Sequence, residues 1–321
     1  MLLRFGPAAG SDYDPRMDVR AHFDAQREWY SRYRRFLLEE LEASDGLTAE
    51  TIPLCEAMLM EAEVDAARAA LLRLGPPAFD PGDPYFVAQV GTTCMSTSMA
   101  NGLLSLGDAF LAADPERRVH LLTDDVVART SSFGKPGEYR SVDDLFKYLE
   151  ADRLLDVRDG EEGFSQNYRV RLTNSLLDVC EALWTGRGRL VIQRSAHAHL
   201  GFGLRYDAGG GDVRVCMRDP MHPTGRGHSL LALEVLRRDY LWSPLKKIPR
   251  LMGPHGFPRL TADELLGHLE RYESMENLGV DCPSALLYRL EDAPPLHAPP
   301  EDHEGVSSAD EAPAPIPDAS D

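Results

Sequence analysis

Three strand-like runs in close succession place the tightest limit on how this chain can fold. They are Arg189–Gln193, His199–Tyr206 and Asp212–Met217. Each is short, largely apolar and bounded by turn residues. Between the second and third lies Asp207-Ala208-Gly209-Gly210-Gly211, whose glycines suit a tight reversal, so these two runs read as a hairpin. The surrounding pattern is helical. Leu176–Trp184 ends at Gly186-Arg187-Gly188, and Met95–Leu106 ends at Gly107. Ser141-Val142-Asp143-Asp144 resembles a helix start leading into Leu145–Leu149. Leu230–Trp242 and the segment opened by Thr261-Ala262-Asp263-Glu264 read as later helices, and Ser284–Leu290 as a last strand. The expected class is therefore α+β, with a helix packed on an antiparallel sheet.

The N-terminal part differs in character. Residues 17–42 space Phe23, Trp29, Tyr30, Tyr33, Phe36, Leu37 and Leu41 along a charged helix. Ser44-Asp45-Gly46 breaks it, and a second helix rich in Ala, Leu and Glu starts at Thr48 and runs to Leu74. The spacing predicts a helical hairpin over 1–75, a main domain over 76–290 entered through the Pro/Gly-rich stretch 75–84, and an acidic Pro/Ala-rich tail over 291–321. The tail holds nine acidic residues and no Lys or Arg, a composition that cannot bury enough apolar surface to fold. The net charge of −18 argues against nucleic acid as a partner, because phosphate binding needs a basic surface. No run of eighteen apolar residues is present, and Met1–Pro7 opens no long apolar segment, so neither a membrane span nor a secretory signal is expected and the cytoplasm is the expected compartment.

Five cysteines occur, at 55, 94, 180, 216 and 282, in odd number and without a CxxC pair, which argues against a disulfide framework or a zinc ribbon. Cys94 stands apart. It follows Gln89-Val90-Gly91-Thr92-Thr93 at the start of a helix, where the positive helix end favours a thiolate. Thr92 or Thr93 is positioned to cap that helix, and Gln89 to offer an amide N–H to a developing oxyanion. Ser96, Thr97, Ser98 and Ala100 allow the helix to lie close to a sheet. A thiol nucleophile also needs a base and a group to orient it. His197 and His199 flank Ala198 at the entry to a strand and share one face by the two-residue period. Counted from the hairpin turn, Asp219 falls level with His199, so it is the expected orienter. Gly201 and Gly203 read as a close backbone approach beside the helix. His222 and His228 lie near Asp219 in a loop without a recognised ligand spacing, so no metal and no cofactor is expected.

Together these pieces resemble the papain-like cysteine peptidases, most closely the bacteriocin-leader type. That type pairs a Gln…Cys motif at a helix start with a His–strand–turn–strand–Asp-Pro block, here His199 to Asp207 and then Val213 to Asp219-Pro220. The resemblance covers residues 85–245. It implies a papain-like fold with Cys94 as nucleophile, His199 as general base (His197 being the alternative), Asp219 as orienter and Gln89 as oxyanion donor. The implied activity is hydrolysis of a peptide or amide bond in a peptide or protein substrate through an acyl-enzyme. Acyl or amide transfer on the same thiol is a second expectation. A catalytically degenerate peptide-binding module is a third, favoured by Met95 standing where the family has glycine.

Overall fold

The computed structural model describes residues 19–44, 48, 51–77, 82, 84–130, 168–194, 197–206, 212–241, 243, 245, 261–273 and 284–289. The expected helix near 141–149, linker residues 78–81, the hairpin tip 207–211, Trp242, Cys282 and the tail 291–321 lie outside the described residues. The architecture is mixed α+β. Six strands, β1 (Tyr168–Leu172), β2 (Gly188–Arg194), β3 (His197–Tyr206), β4 (Val213–Arg218), β5 (Ser229–Ala232) and β6 (Ser284–Arg289), form one sheet in the order β1-β6-β2-β3-β4-β5. Every pairing in it is antiparallel. The helices are α1 (Val19–Ala43), α2 (Ile52–Leu74), α3 (Cys94–Ser105), α4 (Ala109–Ala113), α5 (Pro115–Thr130), α6 (Leu176–Trp184) and α7 (Ala262–Glu273).

The sheet is covered on both faces, so side chains alternate between two cores. On one face Val191, Ala198, Leu200, Phe202, Cys216 and Leu287 pack against Met95, Met99 and Leu103 of α3 and Val119 and Leu122 of α5. On the other face Leu190, Ile192, Val215, Met217 and Leu286 pack against α6 and against Val64, Ala67 and Leu71 of α2. Phe23 of α1 joins this second core. The helical hairpin is thus a layer of the main body, because the sheet face would otherwise be left exposed. Farther along, Leu37 and Leu38 of α1 meet Leu265 and Leu269 of α7.

Two expectations are corrected here. The first three residues of the expected helix Leu230–Trp242 are strand, not helix. Met217 pairs with Ser229 and Val215 with Leu231, because β4 has an edge to satisfy. Only then does a helical turn, Leu233–Val235, lead into a π-helical turn, Leu236–Tyr240. In addition, the glycine at 201 does not face α3. A Cβ built there meets Leu190 Cβ and Met217 Sδ at 3.3 Å, on the other face. Gly201 and Gly203 instead bracket a bulge at which the pairing shifts by a residue. The bulge switches the alternation, so Leu200 and Phe202 point toward α3 while Leu204 points away.

No helix among the described residues is long and apolar enough to cross a membrane. A close contact at the start of β2 offers a stability test. A Cβ at Gly188 meets Ala182 Cβ at 2.7 Å and Tyr288 Cε1 at 2.9 Å. The first belongs to α6 and cannot rotate away. Gly188→Ala is expected to destabilise the fold by about 2 kcal/mol through this overpacking. Chemical denaturation showing no loss would contradict the packing of α6 on β2.

Candidate active site

The position of Cys94 follows from how α3 is held. At the helix C-terminus the buried guanidinium of Arg189 donates to Ser105 Oγ (Nε, 2.9 Å) and to the Ser105 carbonyl (Nη2, 2.9 Å). A cation on the last carbonyls suits the negative helix end. Arg189 lies near the start of β2, so this end of α3 is fixed at one end of the sheet. Gly102 sits directly on Leu287 and Leu200. Ser96, Thr97, Ser98 and Ala100 are all buried, as expected of a helix that lies close to a sheet. A twelve-residue helix is about 18 Å long, so its N-terminus reaches the opposite end, where β3 begins and β4 ends.

The segment entering α3 is stitched to that end. Phe86 and Gly225 exchange backbone hydrogen bonds at 2.9 and 2.8 Å, and Gln89 N–H donates to the Pro220 carbonyl at 2.8 Å. Ala88 N–H donates to Thr224 Oγ1, and Asn101 holds Val87 by both its N–H and its carbonyl. The loop after Asp219 and the loop before Cys94 therefore run side by side.

Asp219 continues β4 by one residue and meets both histidines. His197 Nε2 lies 2.7 Å from Oδ1, and His199 Nε2 lies 3.9 Å from Oδ2. The N–H of Met221 also donates to Oδ1, at 2.8 Å. Burial alone would push the Asp219 carboxyl up. The hydrogen bonds from His197 and Met221, with the charges of both imidazoles, together hold it below the usual carboxylate range. The imidazoles stand edge to face, 4.7 Å between centroids. His199 is also edge-on to Tyr240 at 5.7 Å, and Arg194, cross-strand partner of His197, lies over the Tyr240 ring at 5.0 Å.

Four expectations change in detail. His197, rather than His199, makes the short bond to Asp219. Gln89 does not present its amide, because Nε2 donates to the Gly91 carbonyl at 2.8 Å. Thr93 is the N-cap residue of α3, but its hydroxyl donates to the Val90 carbonyl and caps nothing. Finally, the two histidines share a face, but not the face that α3 covers. Ala198 and Leu200 pack toward α3, whereas His199 is paired across from Ile192 in the opposite core. Cys94, half-buried against the first core, is at the same end of the sheet as the His–Asp cluster and on the other side of β3. His222 is exposed, and His228 stands edge-on to Phe202 on the α3 side.

Tyr240 and Arg194 are the neighbours that the sequence did not single out for the site. The π-turn that aims Tyr240 has no sequence signature, and Arg194 is brought in only by the β2–β3 register. Burial, then the nearby His197 charge, pushes the His199 imidazole below its ordinary value of 6.5, with Asp219 opposing only in part. The folded state thus holds His199 neutral where the unfolded chain would take up a proton. Its contribution to stability is complete above 6.5 and is lost as pH falls below that value. His199→Gln is expected to flatten the fall in thermal midpoint between about pH 7 and about pH 5. An unchanged or steeper fall in the variant would contradict this.

Comparison of the chain with family models, with curated proteins and with solved structures finds no match.

Proposed function

We propose that the protein is a papain-like thiol hydrolase that cleaves a peptide or amide bond through Cys94, with an imidazole of the His197–His199 pair as base and Asp219 as its orienter. The observation that carries this reading is the Gln89–Pro220 backbone hydrogen bond, which ties the entrance of the thiol helix to the residue after Asp219. Of the two imidazoles, His197 is the better base. It is bonded to Asp219 through Nε2, which leaves Nδ1 for proton transfer, and it opens β3, so its ring is nearest the strand end around which a substrate carbonyl can meet the thiol. In the reaction the sulfur attacks the carbonyl carbon, and the imidazole gives the thiol proton to the departing amine. A water deprotonated by the same imidazole then opens the thioester. The proposal requires no cofactor.

Alkylation by iodoacetamide near neutral pH, followed at Cys94 by mass spectrometry, tests the reading. His197→Ala is expected to slow it by at least about tenfold, His199→Ala by less, and Cys94→Ala to remove that modified peptide. A wild-type rate equal to that of a denatured thiol, and indifferent to both histidines, would overturn the proposal. That result would favour a catalytically degenerate peptide-binding module, to which the engaged Gln89 amide and the opposite faces of β3 already lend weight. Transfer in place of hydrolysis is distinguished by adding an amine acceptor and identifying the product.

A further inference from the structure

His197, His199 and Asp219 raise a question that proton transfer alone does not answer. One carboxylate faces two imidazoles and serves them unequally, at 2.7 and 3.9 Å. The second imidazole is half-buried, and its Nδ1 has no hydrogen-bond partner among the described residues. We propose that these three side chains form a binding site for a divalent transition-metal ion of the zinc type, held by His197 Nε2, His199 Nε2 and one oxygen of Asp219.

The backbone prepares this set. Residues two apart on a strand present their side chains on one face with a rise of about 7 Å, which lets two imidazoles converge on one ion. Asp219 enters from the neighbouring strand end. One ligand atom from each of the three residues already lies within 4.8 Å of the other two. Three ligands at zinc bond lengths in a tetrahedral arrangement stand about 3.3 Å apart, and here the carboxylate places Oδ1 2.7 Å from His197 Nε2 and Oδ2 3.9 Å from His199 Nε2. Binding then asks the side chains to draw in from within 4.8 Å of one another.

The donor set also selects the ion. Two imidazoles and one carboxylate suit zinc, cobalt, nickel or copper, whereas magnesium and calcium prefer oxygen ligands. Met221 N–H fixes one carboxylate oxygen, an outer hydrogen bond of the kind that orients metal ligands. The side chains of His197, His199 and Asp219 keep 26%, 18% and 30% of their exposure, so a fourth position is open to water or to a substrate atom. Two features hold the affinity down. His199 Nδ1 has no outer acceptor among the described residues, and Arg194 brings a positive charge to the rim, although its guanidinium lies over Tyr240. The expected dissociation constant is therefore micromolar.

The proposal does not rest on the thiol reading, since Cys94 is not a ligand. The two meet at His197, because an ion on Nε2 displaces Asp219 from its pairing with the base. The test is calorimetric titration of the full-length, untagged chain with zinc chloride, paired with the visible spectrum of the cobalt-loaded protein. One equivalent of zinc should bind with micromolar affinity while magnesium gives no heat. His197→Ala, His199→Ala and Asp219→Ala should each weaken binding by at least about tenfold. Cys94→Ser, His222→Ala and His228→Ala should leave it unchanged. To cover a site variant that loses its fold, the cobalt spectrum of the unmutated protein gives an independent reading, which should show four-coordinate nitrogen and oxygen ligation without a sulfur charge-transfer band. Absence of zinc binding, binding insensitive to the three variants, or a sulfur band lost in Cys94→Ser would each overturn the site. Alkylation of Cys94 at saturating zinc separates the two proposals. Bound zinc that slows alkylation supports both, whereas bound zinc that leaves alkylation unchanged supports the metal site and overturns the coupling of thiol and base.

Discussion

Replacing Glu63 with alanine is expected to destabilise the protein by about 3–5 kcal/mol, the range for stranding one charge of a buried pair. Glu63 on α2 and Arg237 on the π-turn keep only 4% and 8% of their side-chain exposure and are bonded through Oε2 and Nε. The other carboxylate oxygen accepts the N–H of Leu176 at 2.7 Å, a donor at the first turn of α6 that has no partner within its own helix. Burial alone would lower the Arg237 pKa, and the Glu63 carboxylate more than reverses this, so the guanidinium is charged in the core. Glu63→Ala removes its counter-ion and the partner of Leu176 N–H together, and α2, α6 and the π-turn lose their common tie. Denaturant titration measures the loss, and a value under about 1 kcal/mol would show that the pair is not desolvated as described. Glu63→Leu combined with Arg237→Met is expected to recover most of the stability, because an apolar pair of similar volume leaves no charge buried. The turn carries Tyr240, so the single variant should also disturb the His199 neighbourhood.

If the proposed thiol mechanism operates, Asp219→Asn is expected to have the largest effect on it, a fall in kcat of about 10²- to 10⁴-fold on any amide substrate that the wild type turns over. The amide has nearly the same shape, and its oxygen can still accept the Met221 N–H. It carries no negative charge to steady an imidazolium, and its NH₂ offers a donor where His197 Nε2–H also donates. On the proposed mechanism KM should change little, because Asp219 would act through the histidine and not on the substrate. A fall smaller than about tenfold would remove Asp219 from the catalytic unit. The thermal midpoint at neutral pH serves as the control. The lowered Asp219 carboxyl contributes stability above its ordinary value of 3.8, and this is lost as pH falls through the folded value, so the variant should differ less from wild type in strong acid.

Much of the local structure was legible. The expected helix Leu176–Trp184 is α6, β2 and β3 extend the expected runs by a residue or two at their ends, and β4 is the expected run shifted by one residue. Short runs with clear turn residues need no distant partner to be recognised. Pairing at long range was not legible. β6 inserts between β1 and β2, matching Leu286 with Leu190 and with Arg171 across wide sequence gaps, and nothing local specifies that neighbour. The segment 229–232 has apolar spacing compatible with a helix, and the free edge of β4 decided otherwise. At the site, the level of Asp219 with the histidines was legible from hairpin arithmetic, because Leu200 is paired with Arg218 and the next step brings His199 to Asp219. The engagement of Gln89 by Gly91 was not, since it depends on a turn at Gly91 with φ of 65°.

By itself the sequence determined that the centre of the chain is an antiparallel hairpin, that His197 and His199 share a face level with Asp219, and that Cys94 begins a helix of small residues suited to close packing. A two-residue period determines which side chains are together, but not which side of the sheet they take. Only the tertiary structure decided that α3 covers the Ala198–Leu200 face while the imidazoles turn to the other. That choice depends on how two cores of different volume close over the sheet and on the bulge at Gly201–Gly203, neither of which is encoded in any single segment.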